Sequence, residues 1–194
     1  MGNLGGWPIP EYWEQPPAYI HWVDAFSVEE LDLLQAEAKK ANSAATVGFG
    51  EEDKSIRRTN VLWLCPQNFA WAYERVALVV AKVNFHNYRY ALTNMSGQIQ
   101  LGNYTAKKKS KYDWHTDTGS NSMRKLSFIL QLTDPEEYDG GEVQLKTGPV
   151  DTGPLPSARG DMLIFPSYTL HRVTPISRGE RQSLVAWVSG PEFK

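Results

Sequence analysis

The second half of this chain limits its fold more than any other stretch. From about residue 88 the sequence breaks into short runs of β-forming residues: YRYAL, GQIQLGNYTA, KLSFILQLT, GEVQLKT, DMLIFP, HRVTP and RQSLVAWV. Turn-forming glycine, proline and aspartate separate them, and the apolar pattern shifts toward a period of two. Many short strands after two helical stretches predict an α+β chain that is mostly β. The expected architecture is a double-stranded β-helix (jelly roll) with the N-terminal helices packed on one sheet. Pro135, Gly140 and Gly141 mark a hairpin turn, and Gly153, Pro154, Pro156 and Gly160 a looser connection.

The first helix has a readable start. Ser27 can cap it while Glu30 reaches back and Phe26 packs against Leu31. Val28, Leu31, Leu34 and Ala38 then form one apolar stripe, and the helix runs to about Ala41. A second begins near Pro66 and carries Phe69, Tyr73, Val76, Val80 and Val83 to about residue 85. Before the first helix, GGWPIPEYWEQPPAYI is rich in proline and aromatics, so residues 1–25 read as an arm lying along the core. Residues 43–60 lack an apolar period and read as a mobile loop entering the strand VLWL. One domain over residues 1–194 is expected: arm 1–25, helices and loop 26–87, jelly-roll core 88–194.

With 194 residues and 41% hydrophobic content, one sizeable core is affordable. Twenty basic against 22 acidic residues give no field to gather nucleic acid or an anionic membrane. The single cysteine cannot form an internal disulfide, no apolar stretch approaches a membrane span, and no signal-peptide pattern opens the chain. A cytoplasmic protein is expected, with its oligomeric state open.

The chemistry concentrates in KYDWHTDTG, residues 111–119, and LHRVTPISRGERQS, residues 170–183. In an extended strand His115 and Asp117 share a face and can grip one ion, with Thr116 pointing away. His171, preceded by the apolar MLIFP run, can complete two imidazoles and one carboxylate, a set that leaves coordination positions open as non-haem Fe(II) requires. An ionised aspartate buried without a counter-charge costs several kcal/mol, so such a cluster favours a metal over an ordinary polar cluster. Ten residues past His171, Arg181 with Ser183 on the same face offers a planar fork and a hydroxyl to a buried carboxylate. His21 and His86 have no partner at ligand spacing and read as capping or surface histidines.

This set, with QIQLGNY, YDWHTD, RKLSFILQL, YDGGE, RGDMLIFPS, HRVTP and RQSLVAW, resembles the Fe(II)- and 2-oxoglutarate-dependent dioxygenases. The closer likeness is to their prolyl 4-hydroxylase-like branch, over roughly residues 97–190. The resemblance implies Fe(II) on His115, Asp117 and His171, with 2-oxoglutarate and O2 as co-substrates and ascorbate as a stimulant. Arg181 would hold the distal carboxylate, with Tyr104, Ser183 and Gln131 beside it; Gln131 facing solvent is the alternative. Arg124 and Trp187 stand where prolyl hydroxylases have an arginine and a tryptophan against the substrate proline. Trp187 as a plain core residue is the other reading. The loop at 43–60 would then close over substrate, with Arg57 and Arg58 as contacts. Lys107, Lys108, Lys109 and Lys111 are ordinarily a solvated turn, but beside the pocket they would favour an acidic peptide.

The resemblance thus implies hydroxylation of proline in a peptide or protein, the co-substrate leaving as succinate and carbon dioxide. Hydroxylation of a free amino acid or other small molecule, and a non-catalytic metal-binding jelly-roll module, are the alternatives. A nucleic-acid demethylase is disfavoured by the charge balance.

Overall fold

The computed structural model describes residues 16–46, 53–119, 123–148 and 152–192. In chain order the elements are β1 (Ile20–Trp22), α1 (Val28–Lys39), β2 (Ser43–Ala44), β3 (Arg57–Arg58), β4 (Asn60–Trp63), α2 (Ala70–Val83), β5 (Asn94–Met95), β6 (Gln100–Thr105), β7 (Lys111–His115) and β8 (Arg124–Gln131). There follow β9 (Asp139–Gly140), β10 (Val143–Lys146), β11 (Met162–Pro166), β12 (Leu170–Val173), β13 (Ile176–Arg178) and β14 (Glu180–Ser189).

Two antiparallel sheets face each other as a jelly roll. The larger runs β1-β11-β8-β14-β6-β4-β2 with β5 on the end of β14, and the smaller runs β10-β12-β7-β3. Strand alternation divides the larger sheet's side chains between two cores. Leu126, Phe128 and Leu130 of β8 and Leu184, Ala186 and Val188 of β14 face outward to α1 and α2. Ile129, Leu163 and Phe165 instead join Val143, Leu145 and Val173 of the smaller sheet to fill the space between the sheets.

The first helix starts as its sequence dictates. Ser27 Oγ accepts from the Glu30 N–H, and a Glu30 carboxylate oxygen accepts from the Ser27 N–H at 2.8 Å, a reciprocal capping box. Leu31, Leu34 and Ala38 are buried, and α1 packs on β14 and β6. Val28 is 61% exposed because it stands at the first turn, beyond the sheet.

Four expectations change. The helix expected from Pro66 begins at Ala70, since residues 65–69 form a turn whose Asn68 and Phe69 N–H groups bond the Cys65 carbonyl. YRYAL is not a strand: α2 runs into a π-helical turn over Asn84–Tyr88, and Arg89 stops it in the left-handed region at φ 54°. The loop expected over 43–60 holds β2, β3 and the start of β4, which pair with the edges of the two sheets; residues 47–52 lie outside the described residues. Of the arm, residues 1–15 lie outside the described residues, while Ile20–Trp22 pairs with β11 as an edge strand. No helix among the described residues is long and apolar enough to cross a membrane.

Because Leu34 is fully buried between α1 and the sheet that carries β14, Leu34→Ala should destabilise the protein by about 2–5 kcal/mol. Leu33→Ala, at a position 59% exposed, should change it by no more than about 0.5 kcal/mol. Urea midpoints of the two variants check the pair.

Candidate active site

The space between the sheets narrows to a cluster of three acceptor groups. His115 ends β7, His171 lies on β12, and the two are paired in register. Asp117 follows just beyond the strand, its N–H donating to the Ser167 carbonyl at 2.9 Å. The ligand atoms of the three residues all lie within 4.8 Å of one another. His115 Nε2 stands 3.8 Å and His171 Nε2 3.5 Å from the Asp117 carboxylate.

Backbone carbonyls fix both ring tautomers. His115 Nδ1 is 2.7 Å from the Asp113 carbonyl, and His171 Nδ1 2.9 Å from that of Thr169. A carbonyl can only accept, so each Nδ1 carries a proton and each Nε2 is the ring atom turned toward Asp117. Ser127 donates to Asp117 Oδ2 at 2.6 Å. The Trp187 indole N–H lies near the same carboxylate without a well-aligned hydrogen bond. Two imidazole Nε2 atoms and a carboxylate thus converge, a set suited to a divalent cation.

The electrostatics agree. Burial, reinforced by His171, pushes the His115 imidazole down to about 3, so it is neutral and free to bind a metal. Burial alone would raise the Asp117 carboxyl, but the two rings, the Ser127 hydroxyl and the Trp187 indole hold it below the usual carboxylate range.

Beyond this cluster, β14 lies between β6 and β8 and turns Arg181, Ser183 and Trp187 inward. Arg181 is 1% exposed. Its Nε and Nη2 donate to Gln131 Oε1 at 3.1 and 2.8 Å, and its guanidinium lies 5.4 Å from the centre of the Tyr104 ring. Nη1 is buried without a hydrogen-bond partner among the described residues. Gly141 allows the chain to close over this side chain: at its φ of +65°, a Cβ would stand 2.4 Å from Ile176 Cδ1 and 3.1 Å from Arg181 Cδ. Gln131 therefore faces the interior, not solvent. Ser183 is buried opposite Gly102 and Gln131, and Tyr104 opposite Arg181.

Arg124 stacks on Trp187, with 3.9 Å from guanidinium to ring. Trp187 is 7% exposed and packs at 6.4 Å against the ring of Trp63, which is 46% exposed. Arg57 lies 4.4 Å over the Tyr112 ring, and Tyr112 stacks on His115 at 3.4 Å. Of the residues named from the sequence, His115, Asp117 and His171 thus come together in one cluster, Arg181 meets Gln131 and Tyr104, Arg124 meets Trp187, and Arg57 lies over Tyr112. His21 instead pairs with Asp161 at 3.0 Å, and His86 is exposed on the π-helical turn.

Tyr112, Ser127 and Trp63 were not singled out. Strict alternation would turn Tyr112 away from His115, but β7 and β12 shift register between His171 and Val173, and that bulge brings both rings inward. Ser127 was legible in principle, since it shares a face of β8 with Gln131 in an otherwise apolar strand.

A metal-free sample carries a signature of this cluster. The unfolded His115 titrates near ~6.5, so between there and the folded value of about 3 the unfolded chain binds the proton that the native ring refuses. Stability should fall as pH drops through that window; Asp117, with its native carboxyl held low, acts in the same direction at lower pH. Urea midpoints of chelator-treated protein should drop from pH 7 to pH 5, and drop less in His115→Asn. Equal drops would remove His115 from the effect.

Comparison with known proteins gives the same direction. The model of the 2OG-Fe(II) oxygenase superfamily matches residues 99–189. A PKHD-type hydroxylase from Synechococcus sp. strain JA-2-3B'a(2-13) is 42% identical over 175 residues, 85% of this chain and 75% of the relative. One from Synechococcus sp. strain CC9605 is 39% identical over 79 residues, 40% of this chain, and that match spans only 36% of the relative's length. Among solved structures, a Pseudomonas putida prolyl-4-hydroxylase aligns with a TM-score of 0.74 at 20% identity, covering 89% of this chain and 92% of that one. A Trichoplax adhaerens prolyl hydroxylase, in complex with a hypoxia inducible factor peptide fragment, gives 0.77 at 13% identity, covering 89% and 84%. These structures share the jelly-roll fold, and the chain belongs to the PKHD-type hydroxylases of the 2OG-Fe(II) oxygenase superfamily, a family that implies Fe(II), 2-oxoglutarate and O2.

Proposed function

We propose that this chain is an Fe(II)- and 2-oxoglutarate-dependent dioxygenase that hydroxylates proline in a peptide or protein. The observation that carries the reading is Arg181. A buried guanidinium with one nitrogen unpartnered needs an anion, and among the described residues no carboxylate pairs with it. A dicarboxylate whose other end reaches the cluster of His115, Asp117 and His171 meets that need. Bound there, Fe(II) with 2-oxoglutarate and O2 would supply the oxidation: one oxygen atom passes to a substrate C–H bond, the other to the co-substrate, which leaves as succinate and carbon dioxide.

The residues of the chain supply placement. His115, Asp117 and His171 hold the metal, their Nδ1–H bonds to Asp113 and Thr169 keeping each Nε2 aimed inward. Arg181 receives the distal carboxylate. Gln131 holds its fork in plane, and Tyr104 and Ser183 close the sides. Arg124 and Trp187 form the substrate wall next to Asp117. An indole face packs the C–H surface of a prolyl ring, while a guanidinium can bond the carbonyl beside it. Arg57 stands at the rim behind Tyr112. That one structural neighbour was solved with a peptide fragment supports a peptide or protein substrate.

His115→Ala, Asp117→Ala and His171→Ala should each abolish turnover. Arg181→Ala should raise the KM for 2-oxoglutarate roughly 10–100-fold, from the ~1.5–3 kcal/mol of hydrogen bonds to a charged group. Mass spectrometry of proline-containing peptides, with succinate measured in the same tubes, checks both. A one-oxygen gain on proline that His115→Ala loses is expected. Succinate without peptide oxidation would move the substrate to another class, and full activity in Asp117→Ala would remove the metal assignment.

A further inference from the structure

A cavity beside the site gathers four cationic side chains, of which the roles above use only Arg57. Where the chain passes from β3 on the smaller sheet to β4 on the larger, Lys54, Arg57, Arg58, Thr59, Asn60 and Lys108 line a space of about 330 Å³. Four of these side chains are cationic and none is acidic. Among the described residues no carboxylate lies within ion-pair distance of any of the four. The Nε atoms of Arg57 and Arg58 are buried without hydrogen-bond partners. Lys108 is held only by the neutral Asn60, at 2.7 Å. Cations gathered round one concavity repel one another and focus a positive field into it, which concentrates anions there.

The cavity also adjoins the candidate active site. Arg57 lines it and at the same time lies over Tyr112, the ring that stacks on the ligand His115. Lys107 and Lys109 share the turn of Lys108 and extend the positive field, while Lys111 is paired with Asp113 at 2.9 Å. We propose that this cavity receives acidic side chains flanking the hydroxylated residue, so that the preferred substrate segment carries Asp or Glu near its target proline. This rests on the oxygenase reading above and narrows its substrate. A volume at the lower end of small-ligand pockets, which run ~300–1,000 Å³, has room for one or two carboxylate side chains. Arg57 lies 4.4 Å over Tyr112 and Tyr112 lies 3.4 Å from His115, so with ~3.3 Å of rise per extended residue the acidic residue stands a few positions from the proline.

Binding tests this without relying on turnover. Labelled peptides sharing one proline, with a Glu-Glu or a Gln-Gln pair about three residues to either side, are titrated by fluorescence anisotropy. The full chain is used, held with Mn(II) and 2-oxoglutarate. One Glu-Glu peptide should bind about tenfold more tightly than its Gln-Gln twin at low salt, and the two should converge near 1 M salt, where the Debye length is ~3 Å. The preference should also collapse in Lys54→Gln/Lys108→Gln. Equal binding of all peptides to the parent protein would overturn the proposal. Saturable binding of inorganic phosphate that depends on Lys54 and Lys108, without peptide discrimination, would make this a small-anion site instead. A Glu-Glu preference without oxygen gain on proline would keep the cavity's role and remove proline from the function; hydroxylation of all peptides with equal KM would do the reverse.

Discussion

A guanidinium buried to 1% exposure in the middle of the larger sheet sets the terms for the space between the sheets. Taking such a charge out of water costs several kcal/mol unless partners replace the solvent. Gln131 supplies one acceptor oxygen, the Tyr104 ring supplies a polarisable face, and the backbone at Gly141 closes over the side chain, yet among the described residues Nη1 has no hydrogen-bond partner. At the cluster around Asp117 the demand has the opposite sign: two imidazole Nε2 atoms and a carboxylate converge within 4.8 Å of one another. A metal carrying a dicarboxylate would satisfy both demands together. Each half is also preorganised, because the tautomers and the guanidinium plane are fixed by partners that point away from the ligand.

Much of this was legible because it depends on local rules. The capping box of α1 rests on two side chains within one turn, and the alternation of RQSLVAWV places Arg181, Ser183 and Trp187 on one face before any pairing is known. The His115 and His171 pairing across β7 and β12 follows once both are placed on strands of one sheet. The features that were not legible depend on departures from those rules. YRYAL has strand-like residues, but α2 continues into a π-helical turn whose Tyr88 is buried in the helix-facing core, so tertiary packing overrides local preference. Residues 57–60 look like loop because a two-residue strand has no period to read. Their pairing with β7 and β6 is set by the edges they cover.

The same alternation separates stability from chemistry along β8 and β14. Even-numbered positions such as Phe128, Leu130, Leu184 and Ala186 feed the core beneath the helices, and odd-numbered positions such as Ser127, Gln131, Arg181 and Ser183 face the cavity. A substitution on one face leaves the other face's neighbours in place. Gln131 and Arg181 are therefore held by a sheet that is stable for reasons unrelated to them, which is what allows a buried charge to persist there.

Among the described residues the register shifts at three places, and two of them lie on the substrate side. One, between His171 and Val173, turns Tyr112 inward beneath Arg57; the other, between Val188 and Ser189, turns Arg124 inward onto Trp187. A bulge re-aims a side chain without moving the strands on either side. The groups that would hold the metal and the co-substrate come mainly from regular positions, where geometry is tightly fixed, and those that would meet the substrate come from the bulges and the adjoining edge strands. Changes in substrate preference can accordingly arise at Arg57, Tyr112 and Arg124 without disturbing the register that sets His115, His171 and Arg181.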